Sequence, residues 1–341
     1  MRSSHRTAGC HMRRLCLVAA LTLAAQPVFA IDCNRAKSDV EHAICGDAQA
    51  RTADQALGTT FGRLRGLLPD DERSGLRLSQ IEWIQTRDQV CLAKRADTPF
   101  SKCLAEESEK RQRFLEGRPA TGNTEEEIFR PVFIFHSSTR STARLSIEAI
   151  KFIGSGAWQA KANASIDEMV KNAVGDANLE DDRQPSPGET YSVELHVSLP
   201  FATPRLLSVH AEYDNYLGQA HPFHWSTNIN IETLAGRELT FDKIVDPDKA
   251  GGLFQYCRSQ VMKEKSESAG IHGLSGSEAR DVDFQEVIDG TKKFANWAFS
   301  KAGVVIDYGD TAFGGYGRCV CTCSVPYSEL RPAAHHDLLL P

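Results

Sequence analysis

The sequence carries no HExxH pair, no glycine-rich phosphate loop, no dinucleotide fingerprint and no serine or cysteine in a recognisable nucleophile elbow. The chemistries that announce themselves by motif therefore have no foothold. Excess positive charge is missing too: 39 Lys and Arg stand against 45 Asp and Glu, a formal charge of −6. That disfavours nucleic acid or an anionic lipid surface as partner. There is no internal repeat, and 41% hydrophobic with 25% charged residues is a globular balance, which excludes a fibrous or wholly disordered chain. One long apolar run occurs, Leu15 to Ala25, and it is too short to span a bilayer as a stable helix.

That run reads as part of an export signal. Arg13 and Arg14 supply the positive flank, and Val28-Phe29-Ala30 places small residues where a signal peptidase needs them, so residues 1–30 are expected to be removed and Ile31 to begin the mature chain. Met12 opens a complete signal by itself. Neither Cys16 nor Cys33 sits in a lipidation context. A periplasmic protein with no integral membrane anchor after cleavage is expected. Residues 1–30 hold four Arg and no acid, so the mature chain carries 35 basic against 45 acidic groups, a net −10. Residues 31–120 balance, and the acidity lies in residues 121–341. It serves solubility, and it can also steer a basic protein partner.

The expected fold class is α+β: a small disulfide-bonded all-α domain over 31–117, a polar linker over 118–129, an α+β domain with a mostly antiparallel sheet over 130–333, and a tail over 334–341. Ser38 with Glu41 matches a capping box. Leu57, Phe61, Leu64 and Leu68 recur on one face of a helix that Pro69 breaks. Thr98-Pro99 predicts a helix start. Past the linker, Val193, Leu195, Val197 and Leu199 alternate with polar residues as a half-buried strand requires. Strands are predicted near 132–135, 143–153, 206–216, 225–234 and 304–308, with helices at 160–173, 254–265 and 284–300. Residues 184–190 read as a loop, as does Gly314-Gly315-Tyr316-Gly317.

Removing Cys10 and Cys16 leaves eight cysteines, an even number suited to an oxidising compartment. Cys33, Cys45, Cys91 and Cys103 lie in the helical part, where spacing leaves three connectivities open. Cys257, Cys319, Cys321 and Cys323 lie in the second part. On a strand, 319, 321 and 323 share a face, which suits zinc or redox chemistry on paper. The CxxC spacing of most zinc sites is absent, and the compartment favours structural bridges.

Asp32-Cys33, Ser38-Asp39-Val40-Glu41 to Ile44-Cys45, and Trp83 to Arg87-Asp88, Cys91 and Cys103-Leu104 together resemble LprI-type lysozyme inhibitors over about 31–116. Residues about 130–332 resemble the extracytoplasmic module of the RsiV anti-sigma factor and of PdaC peptidoglycan deacetylases. The matching segments are Leu207-Ser208-Val209 to Tyr213 and Tyr216, Gly218-Gln219-Ala220-His221-Pro222, Asn228-Ile229-Asn230 to Gly236-Arg237-Glu238-Leu239-Thr240, and Ser324 to Leu330. Gln219 stands where that module has a second glycine, and the Cys319–Cys323 run is foreign to it. Both resemblances imply a lysozyme or cell-wall context. They imply a non-enzymatic binder whose partner is lysozyme or a related basic wall hydrolase, with peptidoglycan itself as another candidate; from the missing motifs, no cofactor or metal is expected.

Two groups of residues are candidates for binding. Trp83 and Arg87 share a helix face, with Asp88 beside them; Trp and Arg are common interface anchors, although the plainer reading is a core tryptophan and an ion-paired arginine. Tyr213, Asp214, Tyr216, His221 and His224 form the second group. His221 and His224 with Asp214 could serve a metal or an acid/base pair, which is the basis of an alternative reading as an envelope hydrolase. The plainer reading is a tethered turn among core aromatics. An inhibitor must block a carboxylate-lined sugar cleft, and the 34–39 segment and the Tyr213–Trp225 loop are the stretches best suited to do so.

Overall fold

Ser38 accepts from the Glu41 amide (3.2 Å) while Glu41 accepts from the Ser38 amide (2.9 Å), so the predicted capping box forms and starts α1 (Asp39–Gly46). In the computed structural model, which describes residues 30–137, 144–177, 191–272, 282–309, 312–313 and 321–335, three more helices follow. They are α2 (Ala48–Leu67), α3 (Asp70–Ala93) and α4 (Phe100–Leu115). Asp47 caps α2 by accepting from the Ala50 amide at 2.9 Å. At α4 the cap falls on Pro99, one residue later than predicted, within the usual spread of helix ends. Disulfides join Cys33 to Cys45 and Cys91 to Cys103, beside a small cluster of Ile44, Ala50, Ala53, Leu104 and Ala105.

Residues 118–128 are held in place rather than hanging between elements. Arg113 donates to the Pro119 and Thr124 carbonyls and to Glu125. The short strand β1 (Thr121–Gly122) pairs in parallel with Phe201–Ala202. Gly117 ends α4 at φ +73°, where a Cβ would lie 2.0 Å from the Phe129 carbonyl oxygen; only glycine fits this close approach.

The main sheet runs in the order β2 (Phe129–Ser137), β3 (Arg144–Phe152), β4 (Ser192–Ala202), β5 (Leu206–Tyr216), β6 (Phe223–Glu232), β7 (Arg237–Glu238), with β1 on the far end of β4. All pairs are antiparallel except β1 with β4 and β3 with β4. The parallel β3–β4 step needs a crossover, supplied by α5 (Ala157–Ala177). After β7 come α6 (Phe241–Ile244), α7 (Gly251–His272), α8 (Phe284–Lys292) and a three-stranded antiparallel sheet of β8 (Trp297–Phe299), β9 (Gly303–Asp307) and β10 (Thr322–Pro326), closed by α9 (Tyr327–Leu330). The chain is α+β, a disulfide-bearing helical segment followed by a mostly antiparallel sheet.

The helix predicted over 284–300 stops at Lys292. Lys293 turns extended, and the Trp297 indole, fully buried, donates to the Thr291 carbonyl at 2.8 Å. Asn230 donates to the Trp297 carbonyl at 2.8 Å, so tertiary partners take up the groups a continuing helix would need. Cys257 is bonded to Cys323 and Cys321 is also disulfide-bonded; Cys319, the Gly314–Gly317 loop, the 184–190 loop, residues 1–29 and most of the tail lie outside the described residues.

The helical segment does not bury its apolar face alone. Leu57, Phe61, Leu76 and Phe114 join Phe129 and Phe133 of β2 in one core that continues through the sheet to Ala162 and Ile166 of α5. Gly75 permits this contact, since a Cβ there would stand 2.9 Å from that of Phe133. Beneath the contact lies a buried polar knot. Arg111 of α4 donates to both oxygens of Glu148 on β3 (2.9 and 2.8 Å) and to Gln80 and Ser79 of α3 (3.0 and 2.6 Å). His196 of β4 contacts Glu148 at 2.9 Å, and Ser79 donates to Glu148. Burial by itself raises the Glu148 carboxyl, but the charge of Arg111 and then of His196 outweighs it and holds the group well below the usual carboxylate range.

Candidate functional site

The first group of predicted residues comes together on one face of α3. The Arg87 guanidinium lies 5.0 Å from the Trp83 ring centre and pairs with Asp88 at 2.8 Å. Arg87 is 5% exposed, so it acts from beneath the surface, while Trp83 is partly buried against the main core. With Ser38, Val40 and Glu41 from the start of α1, and with Asp54, Leu57 and Gly58 of α2, they line a pocket of about 240 Å³. The 34–39 segment thus ends at the rim of the pocket that Trp83, Arg87 and Asp88 help to form. Bonds from the Ser38 and Lys37 amides lower the Glu41 carboxyl. Burial raises Asp54, against the Ile31 amide that donates to it at 2.8 Å. Asp54 has no local signature in the sequence; nothing short of the folded packing distinguishes it from any other acid on a helix.

The second group divides between the two faces of the β5–β6 hairpin, because side chains alternate along a strand. Tyr213 stacks on Trp225 (5.3 Å between ring centres) and donates to Asp176 of α5 at 2.6 Å. Both rings, with Met169, Asn172, Asp176, Asn228 and Glu238, line an open cleft of about 820 Å³ between α5 and the sheet. Burial, with Asp176 adding to it, pushes the Tyr213 hydroxyl up to about 12. Asp214 and His224 face the opposite side, directly across from each other, with Nδ1 and Oδ1 2.8 Å apart and both side chains about half exposed. Tyr216 packs edge-on to Tyr191. His221 is exposed at the hairpin tip. Gln219 stabilises that tip, accepting from the Leu217 amide and donating to the Asn215 carbonyl (2.6 and 3.0 Å).

On the face that carries Asp214 and His224, the register also sets Glu194, His196, His210 and Glu212. His210 meets Glu212 at 3.1 Å and Asn228 at 2.9 Å. Burial opposes the charged imidazole of His210, but these two bonds outweigh it and its pKa is raised. Among the described residues no group of three or more His, Cys, Asp or Glu is placed to hold a metal ion, and no helix is long and apolar enough to cross a membrane. Trp83, Arg87 and Asp88 make no direct hydrogen bond, ion pair or ring contact with Tyr213, Asp214 or His224. From the Trp83 side, the Arg111–Glu148–His196 chain runs as far as β4, with Arg111 5.8 Å from the Trp83 ring and His196 2.9 Å from Glu148.

The arrangement offers a charged aromatic pocket on the helical segment, an aromatic cleft on the sheet, and no assembled nucleophile and base among the described residues. Residues 33–115 are similar to the family described as Lysozyme inhibitor LprI. The LprI-like segment contains both helical disulfides and the Trp83–Arg87–Asp88 cluster. Among curated proteins none matches the chain. Solved structures similar to it include two DUF3298 family proteins. One is a member of the DUF3298 family from Bacteroides fragilis, at 16% identity and TM-score 0.43, covering 61% of this chain and 94% of the other. The other is a DUF3298 family protein from Pseudomonas aeruginosa, at 13% identity and TM-score 0.42, covering 64% and 99%.

Proposed function

We propose that the protein is exported to the periplasm, loses residues 1–30, and there binds lysozyme or a related basic wall hydrolase without performing chemistry of its own. The observation that carries this reading is the similarity of residues 33–115 to the lysozyme inhibitors, over a segment that presents one charged aromatic pocket. Trp83, with Arg87 beneath it, Asp88 beside it and the 34–39 segment at the rim, is the docking surface in this reading. The sequence resemblance of the second part to the RsiV and PdaC module supports the same wall context. The −10 charge of the mature chain speeds encounter with a cationic enzyme.

Titration of the purified mature chain with c-type lysozyme tests the reading. Saturable one-to-one binding is expected, with an association rate that falls as salt rises and a complex weakened by Trp83→Ala. Absence of binding to c-, g- and i-type lysozymes alike would refute it. A second reading, binding of the peptidoglycan glycan, is favoured by the α5 cleft. Its partly exposed Trp225, backed by the buried Tyr213 ring stacked on it, and its carboxylate and amide groups are the kinds of surface on which sugars stack and hydrogen-bond. Co-sedimentation with purified cell wall, lost in Trp225→Ala, tests that reading.

A further inference from the structure

Ile31 and Asp54 are 23 residues apart, yet the Ile31 nitrogen sits 2.8 Å from an Asp54 carboxylate oxygen. Asp54 is 7% exposed, and that single peptide N–H is the hydrogen-bond donor it has among the described residues. A buried carboxylate with one neutral hydrogen-bond donor is poorly compensated; burial raises its pKa against the opposing effects of the Ile31 amide and the Arg87 charge. Arg87, the one cation lining this pocket, is engaged with Asp88. Against it the lining sets three carboxylates, Glu41 from α1, Asp54 from α2 and Asp88 from α3. The pocket is short of positive charge at the atom where Ile31 begins.

We infer that this pocket is the seat of the chain's own mature N-terminus, the Ile31 α-ammonium formed by cleavage after Ala30 pairing with the Asp54 carboxylate. The inference rests on the export reading above and goes beyond it. Hydrolysis adds one water across the Ala30–Ile31 bond: Ala30 leaves with a carboxyl end, and Ile31 keeps its nitrogen, which takes up protons to become an ammonium at neutral pH. One neutral donor becomes a cation with three. The place is already built to receive it. The Ile31 side chain packs against the cluster that contains Ile44 and Leu104. Before cleavage, Ala30 presses on α2 at Gly58, where a Cβ would meet the Ala30 nitrogen at 3.0 Å. The residue that the sequence marks as the first of the mature chain is thus the one whose nitrogen the fold brings to a buried acid. Processing then fastens the 31–38 segment with an ion pair beside the pocket that Trp83 and Arg87 line, where the uncleaved precursor has a single neutral bond.

The test compares two oxidised proteins, one starting at Ile31 and one retaining Ala30, each with and without Asp54→Asn. The readouts are thermal midpoint and the rate at which an amine-acylating reagent modifies the α-amine near pH 7. In the Ile31 form, Asp54 should slow acylation about tenfold or more relative to Asp54→Asn, since each unit of raised amine pKa removes tenfold of the reactive form. The Ile31 form should also melt above the Ala30 form, and Asp54→Asn should cost it more than it costs the Ala30 form. Equal midpoints for the two starts, or equal costs of Asp54→Asn in both, overturn the inference, and the Ala30 form decides this even where the substituted protein folds poorly. Mass spectrometry of protein secreted from the full gene settles the cleavage separately: a start other than Ile31 refutes the export reading at that bond. No lysozyme enters these assays, so their failure is distinct from failure of the binding proposal.

Discussion

Removing one partner of the Arg111–Glu148 pair should cost far more than removing both. The two side chains are 3% and 10% exposed, so solvent screening does not discount their interaction as it does at a surface. Arg111→Met leaves the carboxylate buried with only His196 and Ser79 to answer it, and breaking such a pair costs about 3–5 kcal/mol. Replacing both, as Arg111→Met with Glu148→Leu, removes the stranded charge and should recover much of that loss. The sign with pH is fixed by the direction of the shift. Glu148 is lowered from 4.5 in the fold, so it contributes stability above that value and loses it progressively as pH falls below it. The gap between wild type and Arg111→Met should therefore be full at pH 7 and shrink below about pH 4.5. Urea unfolding followed by circular dichroism, at pH 7 and at pH 3–4, measures both. A single variant as stable as wild type at pH 7, or a gap that widens on acidification, would refute the reasoning.

Other perturbations have equally definite outcomes. Replacing Cys91 and Cys103 by serine opens a bridge between residues 12 apart and should lower stability by about 2–4 kcal/mol, read as a fall in thermal midpoint. Gly117→Ala should cost more than the roughly 1–2 kcal/mol of a left-handed alanine alone, because its Cβ also meets the Phe129 carbonyl; urea unfolding checks it. Tyr213, pushed up from 10.0 to about 12, should stay un-ionised while exposed tyrosines titrate. Its contribution to stability is intact below pH 10 and lost as pH climbs from 10 towards 12, which ultraviolet titration of wild type against Tyr213→Phe resolves.

The features legible in the sequence are those whose causes are local. Ser38 and Glu41 make their capping box from residues three apart, and the alternation at Val193, Leu195, Val197 and Leu199 appears as four buried side chains of β4. Arg111 shows why other features were hidden. It sits in a helix rich in Glu, Lys and Arg, where nothing local sets it apart, yet it is 4% exposed, because its partner lies 37 residues on in a strand. The stop at Lys292 was hidden likewise, since Asn230 and Thr291 compete for the backbone and indole groups. Of the candidate sites, Trp83, Arg87 and Asp88 were visible as a helix-spaced cluster. Asp54 and Asp176, which complete the pocket and the cleft, enter from other elements through packing alone.

The most direct test of the central claim is lysis of a bacterial cell-wall suspension by c-type lysozyme in the presence of the oxidised mature protein. Dose-dependent inhibition near one-to-one stoichiometry, absent when the protein has been reduced and alkylated beforehand, is the predicted result. Undiminished lysis at large molar excess, with g- and i-type lysozymes also unaffected, would contradict it.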